Sequence, residues 1–133
     1  RYHAANSCRV EFFADISDSD LAVIKQCCHG VLLPISDGGG SNLKTAEALT
    51  LGKWVIATSI SLRGFEAYAN DGVIVANNPV EFRHAMRQVL RRPPAVISDG
   101  ARLARDALYW DRCFADSDLP KLLFDRAPAC RLQ

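Results

Sequence analysis

Apolar positions in this chain fall into short continuous runs, separated by stretches where they recur at helical spacing. The runs are Val10–Phe13, Val31–Ile35, Trp54–Thr58 and Val73–Ala76, and they predict strands. Val31–Ile35 is almost wholly apolar, the pattern of a strand covered on both faces of a sheet, and Pro34 predicts that its ladder stops near the end. Leu21, Ile24 and Cys28 mark a first helical stripe, and Leu43, Ala46 and Leu49 a second. Phe82, Met86, Val89 and Leu90 mark a third, and Leu103, Ala107 and Leu108 a fourth. Ser17 and Asp20 stand at capping-box spacing before the first helix, and Gly30 reads as its stop. Asn78-Pro79-Val80-Glu81 supplies a cap, a proline at the first helical position and an acid in the first turn. Pro93-Pro94 ends that helix, and Ser98 caps a last long one. From about residue 110, Trp110, Phe114 and Leu122-Leu123-Phe124 read as a peripheral helical extension. Strands alternating with helices predict one α/β domain over residues 1–133. It is expected to be Rossmann-like, a mainly parallel sheet flanked by helices.

Composition changes this picture little. With 133 residues, 49% hydrophobic and 23% charged, the chain can bury a real core and is not disordered. A net charge of +1 gives no reason in itself to expect nucleic acid or an anionic membrane. Cys8, Cys27, Cys28, Cys113 and Cys130 are odd in number and form no CxxC pair. They read as mostly buried thiols of a reducing compartment, and no metal site is expected. His3, His29 and His84 show no ligand spacing and read as structural or surface residues. No apolar run reaches the length of a membrane span and no signal peptide opens the chain, so the expected location is cytoplasmic. Arg83, Arg87 and Arg91 form a basic stripe at i,i+4. Such a stripe reads first as a solvated face, with peripheral membrane or nucleic-acid contact as the rival. The chain opens on Arg1 rather than a methionine, and it is expected to be a piece of something longer.

The chemistry concentrates between two of the strands. Gly38-Gly39-Gly40-Ser41-Asn42 follows Val31–Ile35, and a helix carrying Lys44 in its first turn and Glu47 one turn on comes next. Glycines let the backbone approach an anion, and a helix N-terminus points unpaired N–H groups at it. The unit is therefore expected to hold a phosphate group, with Lys44 reaching the same anion. A P-loop is one candidate, but Leu43 stands where its second glycine should be. Nor does a later strand end in a magnesium-binding aspartate: Val73–Ala76 runs into Asn77, and Trp54–Thr58 into Ser59. Plainer readings are an i,i+3 surface ion pair between Lys44 and Glu47 and a merely flexible glycine turn. Arg63, in the loop Ser61-Leu62-Arg63-Gly64-Phe65, either touches a ligand above the sheet or is an ordinary loop arginine.

Taken together, the glycine loop, the Lys44-Thr45-Ala46-Glu47-Ala48 helix, the Gly52 stop and the strand ending in Ala57-Thr58 resemble one family. It is the retaining GT-B-fold glycosyltransferases of the "group 1" type, in their nucleotide-sugar-binding half. The match runs from about Val10 to Val89 and is most specific from Gly38 to Thr58. The resemblance implies the donor-binding half of a GT-B fold and sugar transfer from a nucleotide-diphosphate donor, with retention and without a cofactor. By residue, it implies that Gly38, Gly39, Gly40, Ser41 and Asn42 form the donor loop, that Lys44 sits beside the diphosphate and that Glu47 accepts from the ribose hydroxyls. The chain departs from the family where Gly39 occupies the place of an earlier glutamate that contacts the donor sugar; Asp37 lies close by. The resemblance also implies that two βα units and an acceptor-binding domain are missing. The truncated sheet edge would then favour self-association, and the isolated chain would not transfer sugar. Two rivals stay open: a non-catalytic nucleotide- or phosphate-binding module and a degenerate P-loop phosphohydrolase.

Overall fold

A computed structural model of the chain describes residues 11–38 and 42–124. Its centre is a three-stranded parallel sheet in the order β1 (Gly30–Leu33), β2 (Trp54–Ala57), β3 (Val73–Val75). Gly30 pairs with Trp54, and Leu33 with Ala57; Val55 pairs with Val73, and Ala57 with Val75. The helices are α1 (Asp18–Cys27), α2 (Leu43–Thr50), α3 (Pro79–Val89), α4 (Asp99–Asp106), α5 (Trp110–Ala115) and α6 (Leu119–Phe124), with a 3₁₀ turn at Glu66–Tyr68. This is an α/β arrangement of a small parallel sheet flanked by helices.

Side chains alternate across a strand, so the sheet serves two cores. Leu33, Val55 and Ala57 face α2, where they meet Ala48, and Leu62 and Ala69 of the connection to β3 close over them. Ile56 faces the other way and packs with Ala76 and with Ala85 and Val89 of α3. Val55 is fully buried, and its truncation to alanine should cost about 1–3 kcal/mol. Further anchors fix the helices to this frame. His29 Nε2 lies 3.0 Å from the Val89 carbonyl, a structural role for that histidine. Trp54 Nε1 donates to the Pro93 carbonyl at 2.9 Å, while the Arg92 guanidinium stacks 5.3 Å above its ring.

Several expectations need correction. Val10 lies outside the described residues, and Glu11–Phe13 form no strand; Phe12 and Phe13 are exposed. The first helix starts as its cap predicts, with Ser17 Oγ accepting from the Asp20 N–H. It ends at Cys27, and Gly30 opens β1 instead of stopping α1. A Cβ on Gly30 would meet the Trp54 carbonyl oxygen at 3.0 Å, so the glycine serves close strand approach. In α2 the buried positions are Thr45, Ala48 and Leu49, whereas Leu43 is 65% exposed. The stripe is rotated because a buried threonine finds a carbonyl partner, described below. Likewise Ala85 and Val89 carry the core contact of α3, while Leu90 is 75% exposed, and Ala101 and Arg105, not Leu103, are buried in α4. Two short helices, α5 and α6, follow it. Cys27 and Cys113 are exposed thiols, which corrects the expectation of mostly buried cysteines; Cys8 and Cys130 lie outside the described residues.

Candidate functional site

The carboxyl ends of β1 and β2 are tied to the start of α2 by a buried polar strap. Ser61 is fully buried; its hydroxyl donates to the Leu33 carbonyl at 2.7 Å, at the last residue of β1. Thr58, just past β2, donates to the Ile35 carbonyl at 2.5 Å and lies 2.8 Å from the Ser61 hydroxyl. Thr45 of α2 donates to the Ser61 carbonyl at 2.7 Å, which explains why a polar residue occupies the inner face of that helix. Asn42 adds Nδ2 contacts of 2.9 Å and 3.1 Å to the Ile60 and Ser61 carbonyls. Each such bond contributes about 1 kcal/mol net, and the low local dielectric makes leaving any partner unpaired more costly. The strap therefore fixes where α2 begins relative to the strand ends.

That beginning differs from the other long helices. Ser17, Asn78 and Ser98 cap α1, α3 and α4 with their side chains. Asn42 occupies the N-cap of α2 without a side-chain bond to it, because its amide is committed to the Ile60–Ser61 segment. Among the described residues the first N–H groups of α2 thus receive no side-chain acceptor, at the end of the helix that carries partial positive charge. Lys44 is exposed in the first turn. Gly38 enters the loop with φ 138°, and its N–H donates to Asp37 Oδ1 at 2.8 Å. Asp37 is thereby engaged within its own turn.

Of the other expected site residues, Gly39, Gly40 and Ser41 lie outside the described residues. Glu47 is exposed, but its partner is not Lys44: the Lys25 ammonium of α1 forms the ion pair with it. The i,i+3 pair between Lys44 and Glu47 is accordingly not formed. Arg63 is the residue that sequence reasoning left undecided. Its Nη2 donates to the Gly38 carbonyl at 2.9 Å, so a cation from the β2–β3 connection closes on the glycine loop. Nothing in its immediate sequence signals that contact, which spans two elements. A cavity of ≈ 420 Å³ opens at the same ends of the strands on the α3 face, lined in part by Pro34, Ser36, Thr58, Asn77, Phe82 and Met86.

At the opposite end of the sheet, Arg105 is 3% exposed and organises the turn into β3. Its Nη2 donates to the Tyr68 carbonyl at 3.0 Å and to the Asp71 carbonyl at 2.6 Å. Burial pulls the Arg105 pKa down, and the nearby Asp71 carboxylate opposes that. The Asp71 pKa is lowered, first by the Ser98 hydroxyl and then by the Ser98 N–H, which donates at 2.9 Å. Among the described residues no group of three His, Cys, Asp or Glu side chains could hold a metal, and no helix is long and apolar enough to cross a membrane. No family model, curated protein or solved structure matches this chain.

Proposed function

We propose that the chain is part of the donor-binding half of a retaining GT-B glycosyltransferase and holds the diphosphate of a nucleotide sugar at the N-terminus of α2. The observation that carries this reading is the uncapped start of α2. A helix end with its own cap amide diverted elsewhere, a lysine in its first turn and a glycine loop before it suits an anion. When the glycosidic bond breaks, the departing nucleoside diphosphate gathers negative charge. The helix N-terminus and Lys44 would stabilise that charge without a general acid. Glu47 would accept from the ribose diol, since a carboxylate accepts two hydrogen bonds and donates none. The Rossmann-like fold, the missing acceptor-binding domain and the inactivity of the isolated chain belong to the same proposal. So does self-association along β1, an edge strand among the described residues.

The pairing of Glu47 with Lys25 favours a second reading, a non-catalytic phosphate-binding module in which Glu47 is structural. Calorimetric titration with UDP, GDP and ADP in the absence of magnesium tests both readings. Lys44→Ala should weaken binding by about 1.5–3 kcal/mol, roughly 10- to 150-fold. Unchanged affinity removes Lys44 from the site. Glu47→Gln should weaken the nucleotides and leave inorganic pyrophosphate nearly unaffected; an equal change for both ligands selects the second reading.

A further inference from the structure

We propose that the arginine face of α3 docks the domain on an anionic membrane surface, a role that does not rest on the nucleotide reading. Arg83, Arg87 and Arg91 are exposed and stand one turn apart, so they form a row of about 12 Å along the helix. Arg91 continues the row past the end of α3 because its N–H bonds back to the Gln88 carbonyl at 3.2 Å. Among the described residues none of the three has a salt-bridge partner. The one acid of α3, Glu81, is used locally, accepting from the Asn77 N–H and from the Asn78 amide. His84, Arg87, Gln88, Arg91 and Arg92 line a surface depression of ≈ 440 Å³, room for a phosphate-bearing headgroup. In α4 to α6 and their connections the charges are mixed instead: Asp99, Asp106, Asp111, Asp116 and Asp118 stand among Arg102, Arg105, Arg112 and Lys121. Among the described residues, the α3 row is therefore a run of like charge in a chain whose net charge is only +1.

Apolar neighbours distinguish a bilayer from other anionic partners. Leu90 is 75% exposed and Met86 39% exposed, and helical spacing puts both on the flank beside Arg83 and Arg87. Leu32 of β1, 44% exposed, lines one groove together with Met86 and Leu90. Cations beside exposed aliphatic side chains fit the headgroup–acyl boundary. Single-stranded nucleic acid would call for free aromatic stacking platforms, whereas Phe82 of α3 packs on the core and Trp54 already has Arg92 over its ring.

Co-sedimentation of the full chain with phosphatidylcholine vesicles, with and without phosphatidylserine, tests the proposal. Binding should require phosphatidylserine and disappear at about 1 M salt, where screening shortens to roughly 3 Å. Each of Arg83→Gln, Arg87→Gln and Arg91→Gln should lower partitioning about five-fold, and the triple variant about 100-fold. Leu90→Ser should lower it further without changing the salt dependence. The single variants replace exposed side chains and keep the test interpretable if the triple variant loses its helical circular dichroism. Equal binding to neutral vesicles overturns the proposal, as does no binding by the folded chain. Tighter binding to an oligonucleotide, indifferent to Leu90→Ser, overturns it in favour of a nucleic-acid partner.

Discussion

The turn that enters β3 and the loop that leaves β1 lie at opposite ends of the same sheet, and they are held by different chemistry. The first is clamped from inside by Arg105, which is 3% exposed. It is also crowded: Gly72 has φ 74°, and a Cβ there would lie 2.9 Å from Ile97 Cδ1. The second is anchored at its root by the hydroxyl strap, with Thr58 donating to the Ile35 carbonyl, but at Gly38 it is held from outside, by the exposed Arg63 guanidinium on the Gly38 carbonyl, and a Cβ on Gly38 would meet nothing within 4 Å. A glycine in crowded space serves packing, whereas one in open space leaves room above the backbone. Both ends of the sheet therefore carry buried anchors, and among the described residues the open backbone lies at Gly38, beyond the carboxyl end of β1.

Removing Arg105 should break the contrast most sharply. Arg105→Ala strips three acceptors of their donor in a buried site and should cost about 3 kcal/mol, read by denaturant unfolding. A loss below about 1 kcal/mol would mean that the clamp is no stronger than the outer contact. Acid titration sharpens the same end. The Asp71 pKa is lowered in the fold, so its stabilisation is fully present above the ordinary value of 3.8 and is lost as pH falls through the lower folded value. Unfolding midpoints followed through that acid window should fall more steeply for the parent chain than for Asp71→Asn. Parallel curves would remove Asp71 from the anchor. The smallest effect belongs to the open end: Arg63→Ala should change stability by less than about 0.5 kcal/mol. Its effect should appear instead as faster hydrogen exchange at the Gly38 loop.

Much of this arrangement was legible in local chemistry. Ser17, Asn78-Pro79 and Ser98 mark helix starts because caps act within one turn, and the apolar runs of β1, β2 and β3 read as strands, although β1 is an edge among the described residues and Leu32 is exposed there instead of covered on both faces. Inner faces were harder. Thr45 and Arg105 look like surface residues in sequence and are buried because their partners, the Ser61 carbonyl and the Asp71 turn, come from other elements. The pairing of Glu47 with Lys25 is equally non-local, joining α1 to α2, so an i,i+3 rule could not find it. The place of Lys44 in the first turn of α2 was readable from spacing. The diversion of the Asn42 amide and the reach of Arg63 depend on the β2–β3 connection folding back over the strand ends.

The parallel register also sets an order of events. Gly30 must find Trp54, and Val55 must find Val73, so neither pairing can nucleate as a tight hairpin. Each closes a long segment before any ladder bond forms, and loop-closure entropy opposes both. Helices α2 and α3 can flicker into existence within microseconds, yet the sheet they cover must wait for chain ends to meet. Folding of this domain should consequently be governed by the closure of β1 on β2 around α2, and the Ser61 strap, which joins β1, β2 and α2 in one cluster, can form only once that closure has happened.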